Sequence, residues 1–306
     1  MSERPASDRS VHARTCSFTG ILLIILVIGT IFVPPAWPSC GLEGCPLDSH
    51  ARSWLARSVF IETSFHQTEY DIEGESGNYS EVIQRLEYVG MSPMSVGAYV
   101  PLVTLRRDEE EQQTGFGNPI LYVEARLFPR AHGSMAAGMQ YEAPIGDAES
   151  GIASDHTELL PYAAYLYRFG RGGVRALVGY RFSVGSGEDE AGEVHEHAHG
   201  SKLAFHNSIG QFGAPAHVVN PHADQELVWR TGFDTQFGAR GLRPGLALEG
   251  QTVTEGPDRG TSYVASELSL GVPFWNRYQL NAHTKFPLTS LSRFEWMSGL
   301  GISAAF

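Results

Sequence analysis

The densest set of side chains able to ligate a metal or move a proton lies between Gly185 and Asp224. Glu188, Asp189, Glu190, Glu193, His195, Glu196, His197, His199, His206, His217 and His222 all fall within this stretch. Its core, EVHEHAHG, puts His195, His197 and His199 on one side of an extended chain, because alternate residues of such a chain share a face. Imidazole and carboxylate suit zinc, nickel or copper, so these three histidines are the candidate ligands for a divalent transition metal. The competing reading is a solvated acidic loop. Downstream, Phe205-His206-Asn207-Ser208 places His206 and Ser208 at i, i+2, where a base could activate a nucleophile. No orienting third residue is evident. Phosphate loops, paired CxxC motifs and HExxH are all absent from the chain, and no cofactor is expected beyond that possible metal.

A second population of charged and polar residues is spread thinly at strand-like parity. Glu62 and His66, Glu124 and Arg126, Glu142, Arg175 and Arg181 each alternate with apolar neighbours. So do Glu226, Arg230 and Asp234, Glu249, Glu267, and Asn281, His283 and Lys285. Alternation of this kind assigns each set to one face of a β-strand. In 278–288, for example, Tyr278, Leu280, Ala282, Thr284, Phe286 and Leu288 take the opposite face. In 224–238 that face carries Leu227, Trp229, Phe233 and Phe237, and in 173–185 it carries Val174, Val178, Tyr180 and Phe182.

The elements that must position these residues are strands near 58–71, 82–90, 94–106, 117–128, 133–143, 157–170, 173–185, 224–238, 242–255, 261–273, 278–288 and 295–306. The alternation is weak in 82–90 and 157–170. Short connections, such as Gly170-Arg171-Gly172 and Trp275-Asn276-Arg277, alternate with longer ones at 72–81, 107–116, 144–156, 186–223, 256–260 and 289–294. Sorting of connections by length, with an even number of strands, is the signature of an up-and-down transmembrane β-barrel of the outer-membrane type. The expected fold is therefore an all-β antiparallel barrel of about twelve strands over 58–306. The charged face then lines a pore, and 186–223 is a long extracellular loop. Charges are confined to the inner face because a basic residue at the lipid midplane costs about 2–4 kcal/mol.

The two ends of the chain agree. Arg4, Arg9 and Arg14 precede the apolar run Gly20 to Val33, followed by Pro34 and Pro35. This reads as a secretory signal within 1–41, too short for a comfortable helical span. An uncleaved inner-membrane anchor is the alternative. Residues 42–57 would be a periplasmic lead-in. Cys16 falls in the signal, and Cys40 and Cys45 either pair in an oxidising compartment or are parted by cleavage. At the other end, EWMSGLGISAAF places Trp296, Leu300, Ile302 and Phe306 on one face and small or polar residues on the other, as a closing barrel strand would. Both termini are expected in the periplasm of a Gram-negative cell. The surroundings would be lipid bilayer and lipopolysaccharide, the barrel assembly machinery would insert the chain, and a small-molecule solute would pass through it. A net charge of −12 argues against nucleic acid as a partner.

With that order in place, the chain resembles the outer-membrane family labelled putative MetA-pathway of phenol degradation, a transporter family. The resemblance rests on GFGNPILYVEARLF (115–128), GSMAAGMQYEAPIGD (133–147), VRALVGYRF (174–182) and GLGISAAF at the end. It implies a non-enzymatic, passive channel for small, hydrophobic or aromatic compounds. Outer-membrane phospholipases, which carry a His/Ser/Asn set on a twelve-stranded barrel, are the enzyme alternative. The HNSIG of this chain departs from their H-x-S-N-G pattern.

Overall fold

A computed structural model of the chain describes residues 58–306, apart from 73–74, 91–93, 108–111, 131–132, 148–151, 155, 185–202, 208–216, 222–224, 239–240, 257, 275–276 and 291. The expected signal segment, the 42–57 lead-in, the cysteines and His195, His197, His199 and Ser208 all lie outside the described residues.

Among the described residues the chain is all strand and turn. The main strands are β1 (Ser58–Ile72), β2 (Glu75–Val89), β3 (Met94–Arg107), β5 (Ile120–Arg130), β6 (Gly133–Glu142), β7 (Thr157–Phe169), β8 (Gly172–Val184), β11 (Gln225–Thr235), β12 (Arg243–Val253), β13 (Ser262–Phe274), β14 (Tyr278–Pro287) and β15 (Trp296–Ala305). Each pairs antiparallel with its neighbour, and β1 also pairs with β15 from Phe60↔Ala305 to Glu69↔Trp296. That pairing closes the ring of main strands. The closure is finished by reciprocal backbone bonds, Val59 N to Phe306 O and Phe306 N to Val59 O, both 2.9 Å. The last strand is thus the seam partner of the first.

Three short strands complete the set. β4 (Gln113–Phe116) pairs with the upper part of β3, while β5 pairs only with Met94–Tyr99 below it. β9 (Leu203–Asn207) and β10 (His217–Pro221) form a separate hairpin within the long connection. Two expectations need correction here. The connection between β1 and β2 is only 73–74, not 72–81, because both strands extend well past the apolar stretch and remain paired to Ile72↔Glu75. The expected 107–116 loop contains β4, and the expected strand 117–128 begins three residues later, at Ile120.

The connections sort to two ends. One end, the turn end, carries 90–93, 131–132, 170–171, 236–242 and 275–277 together with the start of β1 and the end of β15. The other, the loop end, carries 73–74, 108–119, 143–156, 185–224, 254–261 and 288–295. Gly170 and Gly241 take positive φ (58° and 71°) in the tight turns, a backbone region where a Cβ is strained.

The exterior is apolar. Leu246, Leu268, Leu270, Leu300, Ile302 and Val178 point outward around the middle of the wall. Aromatic rings flank them. Phe169 stacks with Phe233 and Phe274 with Tyr278 toward the turn end, and Tyr180 lies against Phe182 toward the loop end. An apolar band between two aromatic girdles is what a bilayer selects on a barrel surface.

Candidate functional site: the barrel interior

The inward positions carry the chemistry, and they are packed shut. Glu62, His66, Glu124, Glu142, Arg175, Arg181, Glu226, Arg230, Asp234, Glu267, Asn281 and Lys285 are all buried on the inner face, and Glu249 and His283 are largely so. The backbone of Arg126 lies on the same face of β5, and its side chain is outside the described residues. Burying so many ionised groups is costly unless each finds an opposite charge or a hydrogen-bond donor. The strand order supplies those partners.

Four consecutive strands contribute the middle of the network. Arg230 of β11 bonds Glu249 of β12 and, at 2.8 Å, Glu267 of β13. Lys285 of β14 reaches Glu249 at 3.0 Å and Glu267 at 3.7 Å. Two cations thus bracket two carboxylates, with no charge left over. Beside this network, across β15, the His66 Nδ1 lies 3.1 Å from Glu81, and its ring meets His283 edge-on, 5.0 Å between centroids. These rings fit because Gly299 lies between them; a Cβ there would sit 2.3 Å from His283 Cε1.

Toward the turn end, Arg85 of β2 is the hub. Its guanidinium donates to Glu87 at 2.6 Å and lies 3.6 Å from Glu62. Phe60, Tyr99 and Tyr122 surround it at 4.7, 5.4 and 5.8 Å from their ring centroids. A desolvated cation among aromatic faces gains from each ring quadrupole. Tyr122 and Tyr162 gain their room by lying over glycines, Gly97 and Gly138, where a Cβ would approach to 2.4 Å. The Tyr162 hydroxyl then donates to Glu124 at 3.0 Å. Arg175 faces Asp234 at 3.3 Å in the same half of the barrel.

At the loop end, residues of two connections turn inward and are buried. In 143–156, Ile152 is fully buried among Tyr70, Tyr79, Val103 and Leu105. The fully buried Asn118 ties this loop down. Its amide donates to Glu142 at 3.1 Å and to Ser154 Oγ at 2.8 Å, and its carbonyl accepts from Gly146 N at 3.0 Å. In 288–295, Arg293 donates to Glu226 and Gln251 and covers the Tyr263 ring at 4.2 Å. Phe294 packs beside it on Ala265 and Met297. Arg181 joins the two sides, 3.7 Å from Glu158 and 3.1 Å from Glu226.

Glu81, Arg85, Glu87, Asn118, Glu158 and Arg293 belong to this interior and were not among the residues expected from the sequence. The parity of Glu81, Arg85 and Glu87 is uniform, which is the signal that could have found them. His206 lies in β9, which among the described residues pairs with β10 alone, with its backbone opposite Val218. Among the described residues no group of three or more His, Cys, Asp or Glu side chains is arranged to hold a metal.

No family model matches the chain, and no curated protein does. Among solved structures, the COG4313 outer membrane channel from Pseudomonas putida F1 superposes with a TM-score of 0.58 at 12% identity, over 90% of this chain and 100% of that one. Looser likenesses reach the KdgM porin (TM-score 0.49, 10% identity, 81% of this chain and 99% of that one) and the NanC porin (TM-score 0.47, 6% identity, 80% and 98%). At 12% identity the first of these is a likeness of fold: this chain folds as a closed, antiparallel, twelve-stranded transmembrane barrel.

Proposed function

We propose that the protein is a non-enzymatic outer-membrane channel that passes small solutes passively through its lumen. The observation that carries this reading is an interior lined with ion pairs along its whole length, from Arg175–Asp234 at the turn end to Arg181–Glu226 at the loop end. A barrel needing only to be stable is better filled with apolar side chains, since replacing a buried ion pair by well-packed hydrophobic residues is often neutral or stabilising. Ion pairs, unlike an apolar core, regain their solvation when water enters, so the same lining serves a closed and an open lumen. The fold shared with the Pseudomonas putida channel supports the outer-membrane setting, and the resemblance to the phenol-degradation transporter family favours small aromatic or hydrophobic compounds as cargo. Liposome swelling with sugars, amino acids and aromatic acids tests the reading. Solute-dependent swelling above empty vesicles supports it; a heat-modifiable, folded protein that passes no solute and no ions in a planar bilayer overturns it.

The tract holding His195, His197 and His199 supports a second role, surface binding of a divalent transition metal. Calorimetry with zinc, nickel and copper decides it. Binding that is lost in the His195/His197/His199→Ala variant supports a site, and equal weak binding in both proteins removes it.

A further inference from the structure

The loop-end mouth is closed from one side by a stretch built in an unusual way. Its two feet are fastened to the wall by backbone bonds, Leu288 N to Val264 O and Glu295 N to Glu69 O, both 2.7 Å. Between these feet, Arg293 and Phe294 point into the barrel and are buried to 2% and 6% exposure. The inner end is anchored by side chains. Arg293 donates to Glu226 on β11 and to Gln251 on β12, and lies over Tyr263 on β13, so one guanidinium clasps three successive wall strands. Phe294 rests on Ala265 and Met297, immediately above the Arg230–Glu267–Lys285 network that fills the middle of the lumen.

We propose that Arg293 is a latch and Phe294 the stopper it holds: release of Arg293 lets residues 292–294 swing out, while Leu288 and Glu295 stay fastened, and admits water to the interior. The chemistry favours a reversible device. Charge-assisted hydrogen bonds from one arginine are strong enough to hold a short segment, yet the guanidinium can exchange both acceptors for water at the mouth. An all-apolar stopper has no such compensation. The latch deepens the channel reading where flux is concerned, but the opening itself does not depend on that reading.

The test therefore has two arms. In the first, Ala265→Cys, seated beneath Phe294, is labelled in vesicles with a water-soluble maleimide, and labelling at residue 265 is read by peptide mass mapping. Adding R293Q accelerates labelling about tenfold or more, the effect of losing the charged bonds of one side chain. The wall-side variant Q251L, which leaves the stopper's own sequence untouched, shifts the rate in the same direction by less. In the second arm, swelling rate and conductance are compared between the parent and R293Q. Faster labelling with greater flux supports both the latch and the channel. Faster labelling with no flux in either protein supports the latch and overturns the channel. Unchanged labelling in both R293Q and Q251L, with heat-modifiable migration retained, overturns the latch whatever the flux.

Discussion

Single residues in this barrel are constrained by what lies beside them on the neighbouring strands, and Arg85 is the clearest case. It is enclosed by Glu62, Glu87 and three aromatic rings. Arg85→Ala strands two buried carboxylates without their cation and opens a void among the rings. A loss of about 3–5 kcal/mol is expected, the usual cost of removing one member of a buried ion pair. Equilibrium unfolding in urea with lipid or detergent present measures it. The triple variant Glu62→Gln, Arg85→Met, Glu87→Gln keeps the volume and removes all three charges, so it should recover most of that loss. Gly299 makes a different demand. A methyl group there meets His283 Cε1 at 2.3 Å and His66 Cδ2 at 2.8 Å, so Gly299→Ala forces the two imidazoles apart. Overpacking of this kind costs about 1–3 kcal/mol. The same titration reads it, and Ser303→Ala, elsewhere on the inner face of β15, serves as the mild comparison.

At the level of elements, legibility followed the purity of the two-residue period. β11, β14 and β15 were readable because nearly every outward position is apolar and nearly every inward one polar or small, Val228 and Met297 being the exceptions. β2 resisted because Ile83 and Val89 point inward while Gln84 points out, where it bonds Thr63 and the Glu62 carbonyl. Its early residues, Ser76 to Ser80, carry loop-forming types, yet they stay paired to β1 because the ladder continues past the apolar band. β7 hides its faces in another way, with Leu160 and Leu166 inside and Tyr165 and Tyr167 outside. The inward loops were illegible in principle, since Asn118, Ile152 and Arg293 have local sequences like those of any solvated connection. Only the folded barrel brings their partners beside them. The long 185–224 connection is the converse. β8 and β11 pair directly from Gln225↔Phe182 to Thr235↔Gly172, and among the described residues the β9–β10 hairpin pairs only with itself. Replacing 186–223 by a short Gly/Ser turn should therefore leave heat-modifiable migration and urea midpoint near the parent values, because loop length enters stability only logarithmically. A collapsed midpoint would mean that the hairpin packs on the wall.

For the whole molecule the decisive property is the inversion of the usual protein plan, with ion pairs within and leucines without. That inversion is stable only if the outside of the wall meets hydrocarbon, so its extent along the barrel axis can be measured by substitution. Leu268 lies in the middle of β13, opposite Leu246 on one side and Thr284 on the other, and its side chain is half exposed. Leu288 is equally outward but sits at the loop end, just beyond β14. Leu268→Arg should cost about 2–4 kcal/mol in a bilayer, and Leu288→Arg only about 0–1 kcal/mol, because the cost falls toward the interface. In detergent micelles, where the apolar layer is thinner and more deformable, the two should converge. Equal costs in the bilayer would mean that the apolar band is covered by something other than lipid. A steep difference would fix the midplane near Leu268 and put the Arg230–Glu249–Glu267–Lys285 network at the same depth. The costliest charges in the protein would then lie at the centre of the membrane, screened from lipid only by the wall whose strands hold them.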